Sequence, residues 1–436
     1  MVIEYALITL YIIGFLFIIQ KWSLFHFTGL SKRWLQLAFI LKVMAGFGLY
    51  WLYTAHYPIR SEADIFKYFD DSEVLFNSFA DSKKHFFQML FGIDCEGQEF
   101  RELYYDKMTN WYKTFDSQVF NNNRTMIRVN GLMRFVSNGS YHIHSIIMSF
   151  LGLIGLTLLL RAFKTVVYEY KTIAIVLVLL LPSTLLWTSG NLKEPLLFLF
   201  LGGAFWSLKN LNTQRWWLYL LVFVSCLFLI FITKYYILLA LFPVTIAYVS
   251  GFWIKNHITV RYITAILLCV VGAFVFSYVK PDLHFAGLIG GKRNDMIRHA
   301  QEMDANSLFD NKIIEREWTA VLSNTPKALW NAIIQPIPTK NSSALHIVAF
   351  AENLFVLVFL AICTLYRRAG PNKETIWFII IYVLTLYIIL GLSTPVAGAL
   401  VRYKTPGLPL VMILGLLIAG KEKLTSKNPF LKRIIR

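Results

Sequence analysis

The chain has 436 residues, 57% of them hydrophobic and only 15% charged, with a mean hydropathy of +0.56. That balance excludes an ordinary soluble globular protein and a disordered chain, and it points to a polytopic membrane protein. A net charge of +17 would suggest nucleic acid as the partner of a soluble protein. Here basic loops that set membrane topology account for it, and no nucleic acid is expected.

A membrane helix needs about 20 apolar residues. Apolar runs predict about eleven spans, near 3–20, 34–55, 141–162, 172–189, 194–208, 216–233, 235–254, 259–279, 346–366, 375–393 and 398–419. The first has no basic leader or cleavage site and reads as a retained span. Lys and Arg cluster in alternate connections: Lys21, Lys32 and Arg33; Arg161, Lys164 and Lys171; Lys209 and Arg215; Lys255 and Arg261; Arg367, Arg368 and Lys373; and the tail, with Lys421, Lys423, Lys427, Lys432, Arg433 and Arg436. By the positive-inside rule these face the cytoplasm, so the N-terminus lies outside and the C-terminus inside. The expected architecture is all-α, one integral membrane domain over 1–436, with helical extracytoplasmic loops at 56–140 and 280–345. The four cysteines, Cys95, Cys226, Cys269 and Cys363, suggest neither a disulfide frame nor a metal site.

The first loop opens Ser61-Glu-Ala-Asp64-Ile-Phe-Lys-Tyr68-Phe-Asp-Asp71. Ser61 is placed to cap a helix with Asp64 at its third position. Asp64, Tyr68 and Asp71 then share a face, and Phe66, Phe69, Phe76 and Phe79 offer apolar surface to lie along the membrane. Asp64 either caps this helix or serves as general base on a hydroxyl. The loop closes with Arg124, Arg128 and Arg134, which run against the positive-inside bias. Their forks either hold phosphate oxygens or pair with acids of the same loop, such as Glu96. Lys42 lies inside the second span and is expected to snorkel inward.

The most informative stretch is Leu181-Pro-Ser-Thr-Leu-Leu-Trp-Thr-Ser-Gly-Asn-Leu-Lys-Glu-Pro195. Gly190-Asn191 supplies a turn, and Pro195 suits the first turn of a helix. Lys193 and Glu194 fall at that helix N-terminus, where backbone N–H groups also favour an anion. Residues 292–330 mix Lys292, Arg293, Arg298, Glu302, Glu315, Arg316, Glu317 and Trp318 and read as amphipathic helices, followed by extended chain at 335–339. Glu352 and Asn353 lie within a span; such a glutamate is either functional or paired in the bundle interior. The last span begins with Arg402-Tyr403-Lys404-Thr-Pro406, and Pro406 and Pro409 free backbone groups there. Lys193, Lys234, Arg128, Arg402 and Lys404 together form an expected extracytoplasmic cationic cluster at the depth of lipid phosphates.

Asp64 with Tyr68 after an early span resembles the first outer loop of GT-C fold glycosyltransferases, which take sugars from polyprenyl-phosphate or -diphosphate lipids. Arg402-Tyr403-Lys-Thr-Pro406 resembles the start of a late span in several such enzymes, and the Pro182–Glu194 stretch is similar to a segment of bacterial envelope-polysaccharide polymerases. The acidic loop follows the second predicted span here, where that family usually has it after the first. The resemblance implies a GT-C-like bundle in the cytoplasmic (inner) membrane, a lipid-linked sugar donor, a glycan or lipid acceptor, and surrounding lipid as a further partner. It makes Asp64 the base, with Glu194 the second candidate catalytic carboxylate. Arg124, Arg128, Lys193, Lys234, Arg402 and Tyr403 become the expected phosphate and substrate contacts. No cofactor is called for; a divalent metal is compatible with the chemistry, but no spacing demands one. A repeat-unit polymerase for O-antigen or exopolysaccharide is the close alternative. A lipid-glycan flippase is the second alternative, although the chain shows no internal repeat.

Overall fold

The computed structural model describes residues 2–56, 60, 63–113, 120–281, 284–302, 307–339, 343–370 and 372–427. Among them there is no strand, only two isolated bridges, Leu308–Val396 and Arg367–Ala419. In chain order the helices are α1 (Val2–Lys21), α2 (Arg33–His56), α3 (Asp64–Asp81), α4 (Lys83–Phe91), α5 (Gln98–Leu103), α6 (Asn123–Ser137), α7 (Tyr141–Ala162), α8 (Lys164–Tyr170), α9 (Thr172–Leu179), α10 (Pro182–Trp187), α11 (Lys193–Lys209), α12 (Trp216–Lys234), α13 (Tyr236–Ser250), α14 (Ile258–Val279), α15 (Phe285–Glu302), α16 (Trp318–Ile334), α17 (Ala344–Leu365), α18 (Lys373–Ser393), α19 (Ala397–Lys404), α20 (Leu408–Ile418) and α21 (Lys421–Lys427).

Eight segments of the described chain are long and apolar enough to cross a membrane: α1, α2, α7, α12, α14, α17, α18 and the α19–α20 stretch. Two predicted spans are not continuous helices. The 172–189 run breaks at Leu180–Leu181, because Pro182 lacks the N–H that would continue α9 and instead starts α10. The 398–419 run tightens to a 3₁₀ turn at Thr405–Gly407, around Pro406. The predicted span 194–208 is one helix, α11, of 17 residues.

The chain packs as two compact units. The first comprises 1–27, 31–162 and 185–234. Its hub is α7, which packs against α1, α2, α6 and α11. The α7–α11 contact is close because both helices present glycine: a Cβ on Gly202 would sit 2.0 Å from the Gly155 carbonyl oxygen. On this hub sits the first loop, α3 to α6, with a core of Tyr105, Trp111, Met126, Ile127 and Phe86. The loop phenylalanines face inward, correcting the expectation that they lie along the membrane. Phe66 and Phe69 are buried against Tyr141, and Phe76 and Phe79 pack on Phe135. A loop this long must bury apolar area of its own to stay folded, and these rings supply it.

The second unit comprises 28–30, 163–184 and 235–436. Its hub is α18, surrounded by α13, α14, α15, α16 and α20. The connection 280–345 does hold two amphipathic helices, α15 and α16, while Glu315, Arg316 and Glu317 lie in the non-helical chain between them. Asp310 ties that chain down by accepting from buried Arg293 at 3.0 Å and from Lys327 at 2.9 Å. Burial alone would raise the Asp310 pKa; Lys327, the Lys312 N–H and Arg293 outweigh it and hold the carboxyl below the usual carboxylate range. A depressed folded-state pKa contributes stability that is complete above the ordinary aspartate pKa and is lost as pH falls through the lower, folded value. Asp310→Asn is therefore expected to cost about 3–5 kcal/mol at neutral pH, by leaving Arg293 buried without its counter-charge. The gap to wild type should narrow on strong acidification in thermal melts in detergent; a gap independent of pH would refute the assignment.

Candidate functional site

The turn that sequence reading singled out is a buried knot in the first unit. Gly190 adopts φ +73°, which only glycine takes without strain, and Leu192 is extended before α11 begins. Lys193, Glu194 and Pro195 form its first turn, as the sequence predicted. Lys42 corrects the snorkelling expectation. It is fully buried, and its ammonium donates to the Thr188 carbonyl at 2.8 Å and to the Thr188 hydroxyl. Thr188 follows the last residue of α10, so the cation meets the negative end of a helix.

From this knot Lys193 reaches toward the first loop. Its Nζ donates to Asn122 Oδ1 at 2.6 Å and Asn123 Oδ1 at 2.7 Å, and lies 4.8 Å from the centre of the Tyr68 ring. The Tyr68 hydroxyl donates to Asp64 Oδ1 at 3.4 Å, and Lys67 pairs with the same oxygen at 2.6 Å. One tyrosine thus touches both the predicted ammonium and the predicted base. Asp64 is the first residue of α3, after Ala63, and not its third; the expected cap, Ser61, lies outside the described residues, as does Glu62. Asp64 favours the helix through its charge in the first turn instead. The α3 face reading holds for Asp64 and Tyr68, but Asp71 turns to the loop and accepts from the Thr109 and Asn110 backbone N–H groups at 3.0 and 2.7 Å.

Glu194 and Lys234 form a buried ion pair; the glutamate side chain is 0% exposed and the lysine 4%. Glu194 sits at the N-terminus of α11 and Lys234 at the C-terminus of α12, each the sign its helix dipole favours. Asn122 Nδ2 also donates to the Thr233 carbonyl at 3.0 Å, which links the Lys193 contact to the Lys234 turn. Asn122 and Asn123 were missed as site residues. The signal was the run Asn121-Asn122-Asn123, a dense amide cluster just before a helix.

The loop arginines are engaged by the loop itself. Arg124 pairs with Glu96 and donates to the Trp111 carbonyl at 2.8 Å, the acid-pairing alternative left open by the sequence. Arg128 donates to the Met89 carbonyl at 2.9 Å, and Arg134 to Ser72 Oγ and the Phe69 carbonyl at 2.9 and 2.8 Å. Burial lowers the pKa of Arg128 and Arg134.

Arg402 and Tyr403 belong to the second unit. Arg402 is buried on α19. The Tyr403 ring lies 6.2 Å from that of Tyr236, and Lys292 stands over both rings, at 5.4 and 4.5 Å. Lys404 donates to Asn353 Oδ1 at 2.7 Å and the Gln335 carbonyl at 3.1 Å. Glu352 accepts from the Ser183 N–H at 2.6 Å, so it is paired in the interior. Among the described residues no group of three or more His, Cys, Asp or Glu side chains is placed to hold a metal ion.

No family model, curated protein or solved structure matches this chain.

The Glu194–Lys234 pair makes a stability test. Glu194→Gln or Lys234→Met breaks the buried ion pair from one side, and each is expected to cost about 3–5 kcal/mol. Removing both, as Glu194→Gln with Lys234→Met, should recover most of that loss in thermal melts. Strictly additive losses in this cycle would show that the two charges are not coupled.

Proposed function

We propose that the chain is a membrane glycosyltransferase that takes a sugar from a polyprenyl-phosphate or -diphosphate lipid during envelope glycan assembly. The observation that carries the reading is the Asp64–Tyr68–Lys193 arrangement, a carboxylate and an ammonium on two sides of one tyrosine. The alternating basic connections support an N-terminus outside the cytoplasmic membrane, and so a site on its outer face. The helical content and the apolar segments agree with a GT-C-like bundle.

In this reading Asp64 takes the proton of the acceptor hydroxyl. The resulting oxygen attacks the anomeric carbon, the bond from that carbon to the lipid phosphate oxygen breaks, and the phosphate leaves with the electron pair. Lys193 faces that charge as it develops. Asn122 and Asn123 hold the ammonium in place by hydrogen bonds that an incoming phosphate replaces. Glu194 and Lys234 neutralise each other behind it, and Arg124 and Arg128 shape the loop. Arg402 and Tyr403, with Lys292, are assigned as anion contacts of the second unit.

One observation favours the polymerase alternative: Asp64 is already held by Lys67 and Tyr68, so it is less available as a base. A transfer assay with a synthetic polyprenyl-linked sugar and purified protein in liposomes separates the readings. Asp64→Asn should melt like wild type and lose about 10²–10⁴-fold in rate, while Lys193→Ala should lose donor-lipid binding. Full activity in Asp64→Asn with none in Lys193→Ala would support the polymerase. Wild-type behaviour in both variants, or movement of the lipid-linked sugar without transfer, would refute the transferase.

A further inference from the structure

The first loop turns a second set of apolar side chains outward. On α4, Phe87 and Phe91 share one face and are exposed, Phe91 at 68%, and their rings stack with centres 6.3 Å apart. On α6, Leu132, Phe135 and Val136 fall at i, i+3 and i+4 and are exposed as well, Val136 at 56%. The two faces form one patch. Phe135 packs edge-on against Phe79 and Phe86, and both of those rings meet Phe87. A loop surrounded by water gains nothing from such a patch, and contiguous exposed apolar surface marks an interaction site.

What covers the patch follows from α1. That helix is long and apolar enough to cross a membrane, and almost none of it is buried in the protein, so its outer surface faces lipid. The end of α6 is tied to α1 at two levels. The Ser140 hydroxyl donates to the Glu4 carboxylate at 2.8 Å, near the start of α1, and the Tyr11 hydroxyl donates to the Val136 carbonyl at 2.6 Å. Tyr11 lies midway along α1. The chain from Val136 to Ser140 therefore runs beside the first half of a membrane span, with Val136 the deeper of the two. The patch continues the lipid-facing surface of α1.

The charge at its edge fits the same partner. Lys83 and Lys84 open α4, both exposed, one turn before Phe87. Asp81 closes α3 just before them, which leaves this edge net positive. Basic residues ahead of aromatic ones on one helix face suit a helix lying at the level of anionic headgroups.

We propose that α4 and the C-terminal half of α6 form an interfacial membrane-binding face. Phe87, Phe91, Leu132 and Val136 enter the boundary between headgroups and acyl chains, and Lys83 and Lys84 meet the phosphates of anionic phospholipids. This face is distinct from Phe66 and Phe69, which stay in the core. It does not rest on the transferase reading.

The test places benzoylphenylalanine, one position at a time, at Phe91, Leu132 and Glu99 of the full chain. Nanodiscs hold equal amounts of phosphatidylcholine and phosphatidylglycerol, and irradiation is followed by mass spectrometry. Positions 91 and 132 should form lipid adducts, and position 99, exposed on α5 of the same loop, should form almost none. Phosphatidylglycerol should exceed phosphatidylcholine about two- to fivefold among the adducts at 91, the worth of about one lysine at an anionic surface. Lys83→Gln with Lys84→Gln should bring that ratio back to the mixture's while the protein melts like wild type, because both lysines are exposed. Crosslinks from 91 and 132 to a second copy of the chain, or adducts there no more frequent than at 99, would overturn the membrane face. A lipid ratio at 91 that ignores the two lysine substitutions would overturn the headgroup contact. Adduct formation needs no sugar donor, so its failure and that of the transfer assay are read separately.

Discussion

The buried pair of Glu194 and Lys234 is the constraint on which the first unit depends. An ionised group inside an apolar bundle must be matched, and these two match each other across the ends of α11 and α12. With Glu194 committed to Lys234, its neighbour Lys193 finds its matching groups elsewhere, among them the Asn122 and Asn123 amides. That contact fixes the start of α6. Arg134, at the far end of α6, then clasps α3 through Ser72 and the Phe69 carbonyl. The position of Asp64 at the head of α3 follows from this sequence of contacts.

The parts of this arrangement legible in the sequence are those set by local rules. Long apolar runs gave helices, Gly190-Asn191 gave the turn, Pro195 gave the first turn of α11, and the spacing of Asp64 and Tyr68 placed them on one face. The parts that were not legible depend on partners far along the chain. Nothing near Lys42 in sequence announces Thr188, 146 residues away. Arg128 reads as a phosphate fork until the Met89 carbonyl is seen beside it. The 172–189 run is apolar throughout its first part, and only its single Pro182 marks the break; hydropathy cannot weigh one missing N–H against so much apolar surface.

Ser137, His144 and Asn130 show why geometry alone does not make a catalytic site. Ser137 Oγ lies 2.7 Å from His144 Nε2, and His144 Nδ1 lies 2.7 Å from Asn130 Oδ1, the distances of a nucleophile, a base and its orienting group. All three residues are 0% exposed, and the imidazole packs edge-on against Phe69. A nucleophile with no path to substrate is a strut, and this one locks α6 to α7.

Three buried charges make backbone contacts at helix ends, and Lys193 makes side-chain contacts of another kind. Lys42 rests on the carbonyl that ends α10, and Lys404 on the Gln335 carbonyl just past the end of α16. Glu352 accepts from the Ser183 N–H at the start of α10. Each meets a helix end of the opposite partial charge, and two of these three contacts use the short helix that Pro182 starts. Backbone partners of that kind are part of the fold and cannot be given up without breaking it. The Lys193 contacts to Asn122 and Asn123 are different, because side-chain amides on a loop can turn away by bond rotation at small cost. The Asn122 and Asn123 contacts are thus ones that an anion can replace while the helices stay in place, and the functional reading uses Lys193 for that reason.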